Sequence, residues 1–239
     1  MSLPSLKLPT HEVVLPFSKK TVEIKPYIIK EEGSILTMLN NKKNIDKEST
    51  KVFKRILDCC VVSEDFDYSE LNLYDFLYLI MQIRMKSHGE SITGMLKCEK
   101  CGKQTEFTIN LDSAMAVSNE EKISQMVTIN EDLMLEVVVP NIDIVIELAE
   151  NQDDLNELEY SIRYVAGSIS KVVYEEQIYK DFTPEELTEN ILNQLTQEQF
   201  EKIAKGMDEL AKLTLSFDYT CYNCRETSHH VVENILDFF

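Results

Sequence analysis

Four cysteines, arranged as two distant Cys-x-x-Cys pairs, are the residues whose type and spacing point most directly to chemistry. Cys98 and Cys101 form the first pair, and Cys221 and Cys224 form the second, with 119 residues between the pairs. Alternating, β-prone sequence flanks each pair, which predicts two hairpins that carry the thiols at their turns. Four thiolates brought together make a tetrahedral site for a soft metal ion. We therefore predict that these four cysteines are metal ligands.

The expected metal is zinc, and a [4Fe–4S] cluster is the alternative because it uses the same ligand set. A site with four protein ligands leaves no coordination position for water or substrate, so we expect a structural role. Four thiolates around zinc carry a net charge of −2, which nearby cations would offset. The candidate cations are Lys97, Lys100, Lys103 and Arg225. His229 and His230 follow the second pair, but four cysteines suffice, so we expect both histidines on a strand or the surface.

Length and charge restrict the classes of function. The chain has 239 residues, 44% of them hydrophobic, which is enough to build a substantial core. It carries 24 basic and 42 acidic residues, and residues 141–210 alone carry 17 acidic and 5 basic ones. This excess of negative charge repels phosphate and argues against nucleic-acid binding. It leaves either a solvated acidic face or a docking surface for a basic protein partner.

Targeting signals are not evident in the sequence. No uninterrupted apolar run is long enough to span a bilayer, and the first residues lack the apolar segment of a signal peptide. We therefore expect an intracellular protein without a membrane partner. Thiols stay reduced in that compartment, which favours metal binding over disulfides for the two cysteine pairs.

Residues 1–90 are predicted to form an N-terminal arm, a strand and a helical core. Prolines keep residues 1–18 extended, with apolar contacts from Leu6, Leu8, Val13 and Leu15. Alternation predicts a strand over 20–25. Helices are predicted over about 30–40, 49–61 and 71–86, the last being apolar on nearly every face and central. Within it, Asp75 and Arg84 should find partners or helix ends. Cys59 and Cys60 lie on the apolar stripe of the preceding helix and are predicted to be buried as small hydrophobic residues.

Residues 91–111 and 213–239 are predicted to form the four-cysteine ribbon, and residues 112–212 an acidic α/β subdomain inserted between its hairpins. Capping boxes at Thr183 and Thr196 predict two helix starts. The subdomain is predicted to contain strands over 126–129, 133–139 and 168–174 and helices over 141–150, 153–166, 183–195 and 196–211. The predicted fold class is α+β: a helical N-terminal part plus a ribbon-like pair of β-hairpins closed around an inserted, largely helical subdomain.

Catalytic motifs do not accompany the cysteines. The sequence lacks a Gly-x-Gly-x-x-Gly segment, a phosphate-binding Gly-x-x-x-x-Gly-Lys-Ser/Thr loop and a Gly-x-Ser-x-Gly elbow. His88 is expected at a helix end, where it interacts with the helix dipole. We therefore predict a protein without enzyme activity, catalytic residues, other cofactor-binding residues or a small-molecule substrate.

Two stretches resemble a known family. One runs from Leu6-Lys7-Leu8-Pro9 to Val13 and continues through Val22–Tyr27 to Lys30-Glu31-Glu32; the other is Asp75–Leu79 followed by Ile83–Glu90. With the Cys-x-x-Cys that follows, their order resembles the baseplate hub family of T4-like contractile-tailed bacteriophages. The resemblance covers the first half of the chain, and the second half through its closing cysteine pair.

The resemblance implies a non-enzymatic tail protein, either a hub subunit of the virion or a chaperone-like factor that assists hub assembly. Its partners would be other baseplate hub and tail proteins. It would act in the host cytoplasm during assembly and, if retained, in the virion tail baseplate. The residues that match by position are Pro9, Pro26, Glu31, Glu32, Asp75, Arg84, Lys86, Ser87, Gly89 and Glu90, which would make turn, cap, helix-end and partner contacts.

Two other functions are compatible with the cysteine pattern. A zinc-ribbon regulator would bind DNA or RNA, which the negative charge opposes. An iron–sulfur protein with a redox or sensing role would use the same four cysteines. The sequence does not separate a retained virion subunit from a transient assembly factor.

Overall fold

The computed structural model describes residues 7–33, 47–118 and 122–232, and these form a mixed α+β fold with small sheets, as predicted. The helices are α1 (Lys47–Cys60), α2 (Leu73–His88), α3 (Leu111–Ala114), α4 (Ile142–Glu150), α5 (Glu157–Ala166), α6 (Pro184–Asn190) and α7 (Gln197–Asp208). The strands are β1 (His11–Val14), β2 (Thr21–Ile24), β3 (Ser91–Lys97), β4 (Gln104–Asn110), β5 (Met115–Ser118), β6 (Ser124–Thr128), β7 (Leu133–Val138), β8 (Ile169–Tyr174), β9 (Gln177–Tyr179), β10 (Lys212–Thr220) and β11 (Thr227–Val232). Residues 29–33 are also helical, and the rest of the helix predicted over 30–40 lies outside the described residues.

The N-terminal core forms around α2. This helix has nine buried residues, which confirms the prediction of a central buried helix. β1 and β2 pair in an antiparallel arrangement, and alternation directs Val22 and Ile24 of β2 into the core, as predicted. Leu15 is fully buried and Leu8 is exposed, while Leu6 lies outside the described residues.

Asp75, although fully buried, has its carboxylate satisfied by several donors. Its two oxygens accept hydrogen bonds from the backbone N–H groups of Phe17 (2.8 Å) and Ser18 (2.7 Å) and a longer one from the Asn72 side chain (3.3 Å). Asn72 caps α2, so the carboxylate also lies at the positive end of the helix dipole. Asp75 therefore has both the hydrogen-bond partners and the helix end that were predicted for it. Its hydrogen bonds join the chain after β1 to the central helix.

A second core forms under the four-stranded sheet β6-β7-β8-β9. Leu135, Val137 and Val172 direct buried side chains to one face of this sheet, and α7 packs on β6 and β7. The approach of α7 is close at Gly206, where an added Cβ would lie 2.3 Å from Cγ2 of Val127. The absence of a side chain at Gly206 thus sets the distance between helix and sheet.

Some helix bounds match the predicted ones and others differ. The capping boxes at Thr183 and Thr196 are both present. The helix predicted over 183–195 ends at Asn190, because Ile191 leaves helical geometry (φ −127°, ψ −62°), and a 3₁₀ turn follows. The helix predicted over 153–166 begins at Glu157, and the one predicted over 196–211 ends at Asp208.

The middle of the chain contributes residues to both cores. Ile142, Val145 and Ile146 of α4 belong to the N-terminal core, while the strands on either side of α4 belong to the second core. The division of the chain at residues 91, 112 and 213 stays a prediction. Within the described ranges, no helix combines the length and apolar character needed to cross a membrane.

Candidate metal centre

Two antiparallel hairpins position the four cysteines. β3 pairs with β4 from Ser91↔Asn110 to Lys97↔Gln104, and β10 pairs with β11 from Leu215↔Val232 to Thr220↔Thr227. Both hairpins are those predicted from alternation. The rings of Phe107 on β4 and Phe217 on β10 stack at a centroid distance of 5.1 Å, which packs one hairpin on the other.

The two cysteine turns have the same backbone geometry. In the first turn, the N–H of Cys98 donates to the carbonyl of Lys103 (2.9 Å), and the N–H of Gly102 donates to the carbonyl of Cys98 (2.8 Å). In the second, Cys221 donates to Glu226 and Arg225 donates to Cys221, both at 2.8 Å. Gly102 and Arg225 have left-handed backbone conformations, with φ of 68° and 57°. The repeated geometry directs two thiols of each turn to one side.

The four predicted ligands lie together. The Sγ atoms of Cys98, Cys101, Cys221 and Cys224 are all within 4.8 Å of one another. The Cys98–Cys224 and Cys101–Cys221 sulfur distances are both 3.7 Å. A tetrahedral ion with metal–sulfur bonds of about 2.3 Å separates its sulfur ligands by about 3.8 Å. The set could therefore hold one metal ion, and Cys98 and Cys221 are buried while Cys101 and Cys224 reach the surface.

The turns also supply polar groups to the sulfur atoms. Backbone N–H groups of Cys224 and Asn223 lower the pKa of the Cys221 thiol to about 6, against an ordinary value of 9.0. Lys100 forms an ion pair with Glu226 of the other turn. Glu226, and more weakly the sulfurs of Cys224 and Cys98, raise the pKa of the Lys100 ammonium. It stays a prediction that Lys97, Lys103 and Arg225 offset the negative charge of the thiolates.

Direct hydrogen bonds fasten the second turn to β4. The backbone N–H of Tyr222 donates to Oγ1 of the buried Thr105 (2.9 Å), and the side chain of Asn223 donates to the carbonyl of Gln104 (3.3 Å). Sequence reasoning missed Thr105 and Glu226. Lys100 lies between the cysteines of the first pair and Glu226 follows the second pair, and these opposite charges were the available signal for the ion pair.

The remaining cysteines and histidines are separate from the sulfur cluster. Cys60 is fully buried as predicted, whereas Cys59 is half-buried. His229 Nδ1 lies 2.8 Å from an Asp218 carboxylate oxygen, and the ring of His230 contacts Phe217 edge-on. Both histidines are on β11, the strand position expected for them.

Several of the residues that match the phage family meet at the C-terminal end of α2. Ser87 accepts a hydrogen bond from the N–H of Tyr27 (3.0 Å) and donates to the carbonyl of Ile83 (2.7 Å). Arg84 donates to the carbonyl of Gly89 (3.1 Å), and Gly89 has a φ of 88°. Further contacts join His88 to Glu32 (3.4 Å) and Lys86 to Glu90 (3.7 Å). These are the helix-end contacts that the resemblance implied.

Fold and site together define an α+β protein in which a cluster of four cysteines joins two β-hairpins that are distant in sequence. The chain matches the family of T4 bacteriophage base plate proteins over residues 8–239, and it belongs to that family. This match confirms the predicted relationship to base plate proteins of T4-like phages.

A CinA-like protein of Fusobacterium nucleatum subsp. nucleatum is 30% identical to this chain over 104 residues. The aligned region covers 42% of this chain and 26% of that protein's own length, so the chain spans about a quarter of the relative. No solved structure matches the chain.

Proposed function

We propose that this protein is a non-enzymatic component of the phage baseplate hub, either a hub subunit or a factor that assists hub assembly. It acts by binding other hub and tail proteins, with no nucleic acid, membrane or small-molecule substrate among its partners. Family membership over nearly the whole chain supports this proposal. The net charge of −18 is unfavourable for a phosphate backbone, which disfavours the nucleic-acid-binding alternative.

The ribbon is proposed to be held by a structural zinc ion on Cys98, Cys101, Cys221 and Cys224. The observation that carries this proposal is the sulfur geometry, because distances of 3.7 Å suit ligands of a single tetrahedral ion. In a [4Fe–4S] cluster each cysteine binds a different iron, which spreads the sulfurs farther apart. The geometry therefore favours zinc over the cluster.

Absorption spectroscopy of anaerobically purified protein tests the choice of metal. A zinc protein has no visible absorption, whereas thiolate-ligated iron absorbs broadly near ~400 nm and colours the protein brown. A colourless protein that contains zinc is expected. A brown protein with equal amounts of iron and sulfide would support the cluster instead.

Mass spectrometry of purified virions tests the hub role. A hub subunit is present in mature particles at a stoichiometry comparable with other hub proteins. An assembly factor is missing from virions but co-purifies with hub intermediates from infected cells. Absence from both virions and hub intermediates would contradict the proposal.

A further inference from the structure

Among the described residues, the four-stranded sheet ends in a strand whose outer edge has no paired strand. β9 pairs with β8 and is the last strand in the sheet order, and all three of its residues are exposed. Tyr174 and Gln177 flank the two-residue turn and form its hydrogen-bonded pair, so Ile178 occupies the next, non-hydrogen-bonded position. The N–H and C=O of Ile178 therefore point away from β8, where another strand could pair with them.

An apolar groove of about 620 Å³ lies beside this edge, between the sheet and the segment that starts with α6. Its volume is within the range of about 300–1,000 Å³ typical of ligand sites. Alternation places Val172, Tyr174 and Tyr179 on the groove side of the sheet, and the two tyrosines are nearly half exposed. Leu187, Ile191 and Leu195 line the other side.

Exposed carboxylates adjoin the residues that line the groove. Glu175 and Glu176 follow Tyr174, and Asp181 precedes Phe182. The ion pairs found in the described part of the chain do not include these three carboxylates. Lys180 is the basic residue of the same stretch. The groove therefore combines apolar lining residues with nearby negative charge, because Glu186 also lines it and the three exposed carboxylates adjoin its lining residues in the sequence.

The opposite face of the sheet also offers apolar contacts beside the open edge. Ile178, Val173 and Met134 form one cross-strand row, and Ile178 is 64% exposed. An added strand would place alternate side chains over the groove and beside Ile178, because successive side chains of a strand point to opposite faces.

We propose that β9 and the groove bind an extended segment of another protein, in which a run of large apolar residues is flanked by lysine or arginine. The segment adds as a strand to β9, and its apolar side chains alternate between the groove and the row that contains Ile178. Its flanking basic side chains meet the exposed carboxylates near the groove. This inference rests on the proposed function, because it names a surface through which a baseplate protein would bind its neighbour. The chain's own last residues, 233–239, contain two acidic and no basic residues, so charge disfavours them as the occupant.

Fluorescence anisotropy with a defined probe tests the proposal. The probe is a labelled synthetic peptide in which lysines flank a run of alternating isoleucine and phenylalanine, added to the purified full chain. Saturable binding is expected, and replacing the lysines by glutamate should weaken it by roughly tenfold or more. A peptide with alternate N-methylated amides should also bind weakly, because it cannot pair with the edge of β9.

Variants of the chain locate the binding site. Ile178→Pro removes the outward N–H without removing a bond to β8, and it should weaken binding. The double variant Glu176→Lys/Asp181→Lys should weaken binding of the lysine peptide and strengthen binding of the glutamate peptide. Glu64→Lys/Glu106→Lys is the matched control, because it makes the same change in net charge at exposed positions of the other core. Circular dichroism confirms that each variant is folded.

Three results would overturn the proposal. They are no saturable binding of the lysine peptide, equal binding of the N-methylated peptide, and binding that appears only after residues 233–239 are deleted. The last result would make the chain's own end the occupant. The virion measurement is independent: a chain found in virions that does not bind the peptide would retain the proposed function and reject the groove.

Discussion

Cys101 and Cys221 bring their Sγ atoms to 3.7 Å although they are 120 residues apart in the sequence. The contact joins the turn of the first hairpin to the turn of the second, and the whole second core lies in the chain between them. A metal ion on these sulfurs would close this long stretch of chain, so its removal should affect both hairpins at once.

Replacing Cys221 by serine should remove the metal and destabilise the ribbon. Cys221 is fully buried, and a hydroxyl is a poor ligand for zinc in a thiolate site. Structural zinc contributes roughly 10–16 kcal/mol in small domains, so we expect the free energy of unfolding to fall by about 3 kcal/mol or more. Cys98→Ser should behave in the same way. Chemical denaturation with metal analysis measures both effects.

Cys59→Ser is the matched control for the ligand variants, because Cys59 is half-buried and lies outside the sulfur cluster. It should keep the full metal content and nearly the native stability. Unchanged stability in both Cys98→Ser and Cys221→Ser would contradict a structural metal.

Gly206→Ala should destabilise the second core, although alanine normally favours a helix over glycine by about 1 kcal/mol. The new Cβ would lie 2.3 Å from Cγ2 of Val127, a stiff β-branched side chain. Overpacking of this kind costs about 1–3 kcal/mol. Adding Val127→Ala should recover part of the loss, which a double-mutant cycle on unfolding free energies detects. Additive effects of the two substitutions would argue against the close contact.

Asp75→Asn should weaken the link between the chain after β1 and helix α2. The carboxylate accepts hydrogen bonds from the N–H groups of Phe17 and Ser18, and an amide nitrogen cannot accept in place of one oxygen. Leaving one of these N–H groups without its acceptor should cost about 2 kcal/mol in unfolding free energy. Asp112→Asn, at an exposed position in the first turn of α3, is the control and should cost less than about 0.5 kcal/mol. An equal effect of the two substitutions would refute this role of Asp75.

The stability of the chain should fall at alkaline pH through Cys60 and Tyr27. Burial raises the pKa of the Cys60 thiol from its ordinary 9.0 to about 12 and that of the Tyr27 hydroxyl from 10.0 to about 12. The unfolded chain releases these protons at the ordinary pKa while the folded chain retains them. The free energy of unfolding should therefore be insensitive to these groups below pH 9 and decline as pH rises toward 12.

Cys60→Ala tests the contribution of the thiol, because it removes one of the titrating groups. Its stability, measured by urea denaturation across the same pH range, should decline less steeply than that of the native chain. Identical slopes would show that Cys60 does not titrate as its burial implies.

Much of the site could be predicted from the sequence because its signals are local. Alternation around each Cys-x-x-Cys specifies a hairpin, and the turn fixes the direction of both thiols. The contact between the two hairpins joins segments that are distant in the sequence, and no local pattern predicts it. It was predictable through ligand chemistry, since two thiolates complete only half of a tetrahedral site.

The elements that were missed are short or depend on tertiary contacts. β9 has three residues, too few for alternation to be recognised. β5 follows directly on α3 and is a strand because Leu213 and Leu215 of β10 pair with it. No glycine or proline in the sequence marks the end of α6 at Asn190. The open edge and its groove arise from these missed elements, which is why the sequence did not predict them.

We propose that a structural zinc ion is bound by the four cysteines of this baseplate hub protein. X-ray absorption spectroscopy at the zinc edge, on protein whose metal content has been measured, tests it most directly. We expect one zinc per chain with a shell of four sulfur ligands at about 2.3 Å. A folded native chain without stoichiometric zinc, or zinc with mainly nitrogen and oxygen ligands, would contradict it.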